Sequence, residues 1–428
     1  MKDKKKALEL LKQKQIDDSI TYDDIARQTG YEKRQLIRLK KQLYEKDMDL
    51  ILIHGNTGIK PVTTASDQEI SYLERFKESY PVITIAQFRD IFIEDVINDP
   101  DMKEDVIRYG LKPRSRSWFR QLFIKEGWES PLQKPVRVSG DHITHPIRKP
   151  RPRKGELVQI DGTEFDWLGT GETYVLHLAV DDATTEVLSG WFAKHECTYG
   201  YCKMMDLILR KHGIPEALYT DRDSVFVSSK GEERTPSQFA MMMSSVHIEM
   251  IYANSSEAKG RVERYNGTVQ NRIPNDIIRF RKKGIKLDNY DDLNIWFNEF
   301  YIRYINTKFA FAPADPHEAF LPMEKDFDYS KLFRFRFVRM MRSLCFSYEM
   351  GLYSAFAHDT GEQLDLPDGT KITVYQDVFS RHLYIERYNR LYDCIKTGER
   401  RRRNGTYEAE SQKQLHALLN DMDGKRRK

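Results

Sequence analysis

At 428 residues the chain is too long for a single small module and has length for about three domains of roughly 150 residues each. Lys and Arg total 69 against 65 Asp and Glu, a net charge of +4 that by itself makes no case for a nucleic-acid partner. Hydrophobic residues at 40% exceed what a disordered chain carries, and no stretch approaches the roughly 20 apolar residues of a bilayer span, so no membrane partner is expected.

The first residues, MKDKKKALELLKQ, lack the apolar core and small-residue cleavage site of a secretory signal, which makes the cytoplasm the expected compartment. From Thr21 to Leu43 the sequence TYDDIARQTGYEKRQLIRLKKQL sets Ala26 four residues before Gly30, with Ile25, Leu36 and Leu39 at positions two crossing helices must bury. That is the helix-turn-helix spacing. Thr21 suits an N-cap, and a second helix from about Glu32 turns Lys33, Arg34, Gln35, Arg38 and Lys41 outward, residue types that reach phosphates and purine edges. Residues 1–50 are therefore read as a helix-turn-helix DNA-binding domain, with a solvated basic helix as the plainer reading.

A second helical domain is expected over 65–130. Ser115 would cap a helix stopped by Gly127, with Trp118, Phe119 and Leu122 inward and Arg116 and Arg120 facing DNA; an ordinary amphipathic helix fits equally well. The acids between Asp90 and Asp105 read as solvated surface. Residues 131–154 are punctuated by Pro131, Pro135, Pro146, Pro150 and Pro152 and read as an extended linker. Its Arg148, Lys149, Arg151, Arg153 and Lys154 form a one-signed run suited to a phosphate backbone.

After Gly155 the pattern changes. ELVQIDGTEFDWL, TYVLHLAVDDA and EVLSGWFAK read as three successive strands, CTYGYCKMMDLILRKHG as a helix, EALYT as a short buried strand, PSQFAMMMSS as a helix and IEMIYA as a fifth strand. A long helix follows from about Ala258. The fold class is accordingly multidomain α/β: all-α modules at the amino terminus, then a mixed five-stranded sheet flanked by helices. From 330 to 398, FRFRFVRM, LCFSYEMGLYSAF, TKITVYQD and RHLYIERY predict a small all-β barrel, and 399–428 a basic tail.

Three acids occupy positions that chemistry would choose. Asp161 ends the first strand, Asp221 follows the short buried strand, and Glu263 lies on the long helix. Carboxylates at strand ends can converge on hard cations, which prefer oxygen ligands, and two such ions serve an in-line displacement at phosphorus. Asn266, one helical turn from Glu263, shares its face, while Lys259, Arg261 and Arg264 supply positive charge that a phosphodiester can use. Beyond them Arg279, Arg281, Lys282, Lys283 and Lys286 form a basic cluster with no acid within it, read as a DNA-contact strip. His177, Cys197 and Cys202 do not make a metal set, and Trp167 and Tyr265 read as packing residues.

The motifs QIDGTEFDWL, VDDATTEVL, YTDRDSVF and ANSSEAKGRVERYNGTVQNR together resemble the integrase-like, RNase H-like catalytic core of DDE insertion-sequence transposases, over about 155–322. The order of helix-turn-helix, core, β-barrel and basic tail is similar to such proteins. The resemblance implies that Asp161, Asp221 and Glu263 are the catalytic and metal-binding acids, holding Mg²⁺ or Mn²⁺, two ions to a site. It implies binding to the element's terminal inverted repeats, metal-dependent phosphodiester hydrolysis and strand transfer into target DNA, by at least a dimer, in a bacterial cytoplasm and at the nucleoid when DNA-bound. One position departs from the pattern: Asp223 stands where a glycine often follows the second acid, an extra acid that reads either as a support to the site or as a turn residue. Glu257 rivals Glu263 as the third acid, although the Gly-Arg-Val-Glu-Arg register of 260–264 favours Glu263. No zinc module of the retroviral kind is present, since His54 is the only histidine before residue 142 and no cysteine precedes Cys197. A competing reading is a non-catalytic DNA-binding regulator derived from a transposase.

Overall fold

The computed structural model describes residues 3–52, 64–131, 149–230, 233–253 and 260–399. They fall into two compact units, Met1–Arg75 with Glu104–Leu111, and Phe76–Lys103 with Lys112–Lys428.

In the first unit α1 (Lys4–Ile16), α2 (Tyr22–Thr29), α3 (Lys33–Glu45) and α4 (Met48–Leu52) bury Ala7, Leu8, Leu11, Ile25, Leu36, Leu39 and Ile51 in one apolar cluster. Thr21 caps α2 as its spacing predicts: its hydroxyl accepts the Asp24 N–H, and the Asp24 carboxylate accepts the Thr21 N–H in return. Gly30 ends α2 at φ 70°, a left-handed conformation that a side chain disfavours, and frees the chain to turn into α3. Helix α5 (Asp67–Glu78) follows.

The second unit includes α6 (Ile85–Phe92), capped by Thr84 and continued by a π-turn over Ile93–Ile97. After α7 (Lys103–Arg108), most of which belongs to the first unit, α8 (Arg116–Lys125) is capped by Ser115. It packs Phe119 and Phe123 against Phe88 of α6, ring centroids 5.4 and 5.3 Å apart.

The central sheet begins with β1 (Val158–Phe165), β2 (Tyr174–Asp181) and β3 (Val187–Ala193), paired antiparallel. Helix α9 (Thr198–Lys211) leads to β4 (Ala217–Thr220), parallel to β1. A hairpin of β5 (Val227–Lys230) and β6 (Glu233–Pro236) stands apart from this sheet. It is illegible in the sequence, where VSSKGEERTP shows no apolar alternation. Helix α10 (Gln238–Ser245), strand β7 (Glu249–Tyr252), parallel to β4, and α11 (Gly260–Lys282) complete the pattern. The order β3-β2-β1-β4-β7, antiparallel on one side of β1 and parallel on the other, is the mixed five-stranded sheet that the pattern of strands and helices predicts. One apolar cluster joins α9 and α10 to one face through Val158, Ile160 and Leu218. The other packs Val262, Val269 and Ile273 of α11 against Leu176, Leu178 and Val180, with α12 (Tyr290–Trp296), a π-turn at Phe297–Tyr301 and α13 (Ile302–Phe309) behind them.

The acidic run after Asp90 is not wholly solvated surface, which corrects that expectation. Asp90 pairs with Arg272 at 2.6 Å, Asp95 with Arg279 through Nε at 2.6 Å, and Glu94 with Arg279 at 2.9 Å and with Lys308. Gln87, fully buried, donates to the Arg272 carbonyl at 2.9 Å. Arg272, Asn275 and Arg279 recur at i, i+3 and i+7 on α11, so one helical face receives α6 and its π-turn. Of the remaining acids, Asp101 and Glu104 are exposed.

Past α14 (Tyr329–Leu332), six antiparallel strands, β8 (Arg334–Met340), β9 (Phe346–Tyr348), β10 (Gly351–Ala357), β11 (Lys371–Asp377), β12 (Leu383–Arg387) and β13 (Arg390–Glu399), form a sheet in the order β8-β11-β12-β13-β10-β9. Its edge strands approach through Phe337 and Tyr348, ring centroids 5.1 Å apart, so it is nearly closed. Gln238 of α10 bonds both the N–H and the carbonyl of Arg336 at 3.0 Å, covering part of the β8 edge. The interior of this sheet is continuous with the α9 and α10 side of the core.

Candidate functional site

Asp161 lies midway along β1, not at its end as expected, and Asp221 directly follows β4, the adjacent parallel strand, whose register of Gln159 with Tyr219 sets the two half-buried residues level with one another. Asn266 of α11, 8% exposed, donates its amide N–H to Asp161 Oδ2 at 2.8 Å. Its own Oδ1 is buried without a hydrogen-bond partner. Glu263 sits exposed in the first turn of α11, where the helix dipole favours a negative charge.

Asp221 Oδ1 accepts the Asp223 N–H at 3.0 Å, and Asp223 in turn accepts the Val225 N–H at 3.0 Å. Asp223 therefore closes the turn after β4, the local hydrogen bonding that suits an aspartate there. It also bears on a fourth acid that motif reading missed. Glu196, just ahead of α9, accepts a hydrogen bond from the fully buried Tyr201 hydroxyl at 2.5 Å. Loss of solvent around this carboxylate raises its pKa against that bond, and repulsion from Asp223, Asp161 and Asp221 raises it further. Although the residue is exposed as a whole, its carboxylate lies over Gly162: a Cβ there would come within 2.8 Å of the Glu196 carboxyl carbon. The glycine beside Asp161 was the available sequence signal.

His177, fully buried, receives the Cys197 N–H on Nε2 at 3.2 Å and meets the Trp191 carbonyl through Nδ1 at 3.0 Å. Burial lowers its pKa to about 4, so the ring is neutral and ties β2, β3 and the start of α9 together beside Glu196. Trp167 and Tyr265 are buried packing residues.

The donor set suits a hard cation: oxygens only, with the orphaned Asn266 Oδ1 beside Asp161. Among the described residues no group of three or more His, Cys, Asp or Glu side chains is arranged to hold a metal ion.

The other expected contact residues divide. Lys33, Arg34, Arg38 and Lys41 are exposed on α3, whereas Gln35 is half-buried and closes a capping box with Glu32. Arg116 and Arg120 are exposed on α8, Lys149 and Arg151 are exposed, and Arg264 is exposed on α11. Arg153 pairs with Glu156 and Glu216, each at 3.0 Å, and Lys154 with Glu186 at 2.6 Å, so both are engaged by the protein's own acids. Arg148, Glu257, Lys259, the Arg261 side chain and most of the linker and tail lie outside the described residues.

In the basic cluster at the end of the long helix, Arg279 is 5% exposed and spent on Asp95 and Glu94, which corrects the expectation that it faces outward. Lys283 pairs with Asp95 at 2.7 Å, Arg281 bonds the Leu287 carbonyl at 3.1 Å, and Lys282 lies over the Tyr80 ring at 4.9 Å. Arg281, Lys282, Lys283 and Lys286 remain exposed.

No family model matches the chain. Over 214 residues it is 38% identical to y4bF of Sinorhizobium fredii, a protein named as a candidate transposase, covering 49% of this chain and 44% of that protein. Over 277 residues it is 29% identical to the transposase for insertion sequence IS1202 of Streptococcus pneumoniae, covering 60% of this chain and 58% of that protein. The chain resembles insertion-sequence transposases. It spans about half the length of these curated relatives. Among solved structures, the HTLV-2 integrase catalytic core domain in complex with magnesium aligns at a TM-score of 0.26 and 22% identity, over 34% of this chain and 86% of that one. The simian T-cell lymphotropic virus intasome with PP2A regulatory subunit B56 gamma aligns at a TM-score of 0.30 and 13% identity, over 70% and 95%. No helix among the described residues of this transposase-like chain is long and apolar enough to cross a membrane.

Proposed function

We propose that the chain is a DNA transposase that cuts and joins phosphodiesters at the ends of its own mobile element. The observation that supports this reading is the level placement of Asp161 and Asp221 on and just after adjacent parallel strands, with Asn266 bonded to Asp161 at 2.8 Å, in a chain similar to transposases. Asp161 and Asp221 would hold Mg²⁺ or Mn²⁺, with Glu263 as the third acid. When bound, such ions activate an attacking oxygen and stabilise the leaving one. Asn266 keeps the Asp161 carboxylate oriented, and the exposed bases of α3 and α8 would bind the terminal inverted repeats as a dimer or larger assembly.

The test is cutting and strand transfer on an element-end duplex with Mg²⁺ or Mn²⁺. Asp161→Asn, Asp221→Asn and Glu263→Gln are each expected to abolish both reactions while duplex binding persists. Full activity in all three variants overturns the reading, and binding without cutting by the parent chain favours the regulator.

A further inference from the structure

On β1, Gln159, Asp161 and Thr163 alternate onto one face of the strand; on α11, Val262, Asn266 and Gln270 recur every four residues on one face of the helix. The two rows are bonded rung by rung. Val262 donates its backbone N–H to Gln159 Oε1 at 3.2 Å, Asn266 donates to Asp161 at 2.8 Å, and Gln270 donates to Thr163 Oγ1 at 2.6 Å. Two strand residues advance about 6.6 Å and four helical residues about 6 Å, so the rows stay in step over three rungs.

The first rung has a particular role. Val262 lies in the first turn of α11, where backbone N–H groups have no partner within the helix. Gln159, 1% exposed, supplies the acceptor from another element. Its own amide is held in turn, donating to Asp182 Oδ1 at 2.6 Å, and Asp182 Oδ2 accepts the Arg151 N–H at 2.8 Å. Fixing Val262 fixes its neighbour Glu263 relative to Asp161.

We propose that Gln159, oriented by Asp182, is a positioning residue that sets the first turn of the Glu263 helix against the Asp161 strand. This rests on the transposase reading for its consequence, but the lock itself does not. Gln159→Leu preserves volume and strands the Val262 N–H. In the full chain, hydrogen exchange at Val262 is expected to quicken about tenfold, without metal, DNA or activity. The Mn²⁺ concentration that half-saturates cutting should rise about 10-fold or more while duplex affinity stays at the parent value.

The paired change Gln159→Glu with Asp182→Asn exchanges donor and acceptor between the two side chains, keeps the acceptor for Val262 and conserves net charge. It is expected to return both measurements to within about threefold of the parent. Unchanged Val262 exchange in Gln159→Leu, or a paired variant as impaired as Gln159→Leu, overturns the proposal. Gln159→Asn, one methylene shorter, carries the same expectation if the leucine variant does not fold. A parent chain that cuts nothing defeats the transposase reading and leaves the exchange measurement to judge the lock.

Discussion

Gly162 has no side chain in the space that the Glu196 carboxylate occupies, 2.8 Å from where a Cβ would stand. Gly162→Ala is expected to push that carboxylate off the Tyr201 hydroxyl, costing about 1.5–3 kcal/mol for a bond to a charged group, read as a lowered unfolding midpoint. Glu196→Gln keeps an acceptor for Tyr201 and removes a charge repelled by Asp223, Asp161 and Asp221, so it should stay as stable as the parent or gain. A second residue-scale prediction concerns Asp276, fully buried beneath Tyr301, whose hydroxyl donates to it at 2.8 Å. Burial pushes its pKa from 3.8 up to about 6. The folded chain therefore holds a proton that the unfolded chain releases between those values, so the contribution is full below pH 3.8 and is lost as pH rises through about 6. Asp276→Asn should remove that decline: comparing urea unfolding at pH 4 and pH 7, it gains stability over the parent only at the higher pH, on the order of 1–3 kcal/mol.

At the scale of elements, α6 and its π-turn dock on α11 through charge. Arg279 is buried between Asp95 and Glu94, and removing one partner of a buried pair leaves the others uncompensated. Arg279→Ala is expected to cost about 3 kcal/mol in unfolding experiments. Lys283→Ala removes a largely exposed side chain and leaves Asp95 paired with Arg279, so it should cost less than about 1 kcal/mol. Equal costs would contradict the burial argument. This docking also marks where sequence reading ends. Strands such as Tyr174–Asp181 and caps such as Thr21 and Ser115 are local, and their patterns name them. Asp161 and Asp221 were legible because each follows or ends an apolar run. Asp90 and Asp95 find Arg272 and Arg279 at separations of 182 and 184 residues, and Glu196 meets Asp161 only through the sheet, so no spacing encodes either partnership.

Across the whole molecule, the net charge of +4 conceals which bases are available to a partner. Arg153, Lys154, Arg272, Arg279 and Lys308 are engaged by Glu156, Glu186, Asp90, Asp95 and Glu94, so their charge is neutralised locally. Lys33, Arg34, Arg38 and Lys41 are exposed together on α3, beside the Gly30 turn. If these four hold DNA phosphates, each Lys or Arg replaced by Ala should lower the slope of log affinity against log salt by about one. Replacing Arg153 and Lys154 instead should leave that slope near its parent value and lower stability. Measured by titrating an element-end duplex across a salt series, a slope insensitive to α3 and sensitive to Arg153 and Lys154 would move the DNA-binding surface away from the amino-terminal helices.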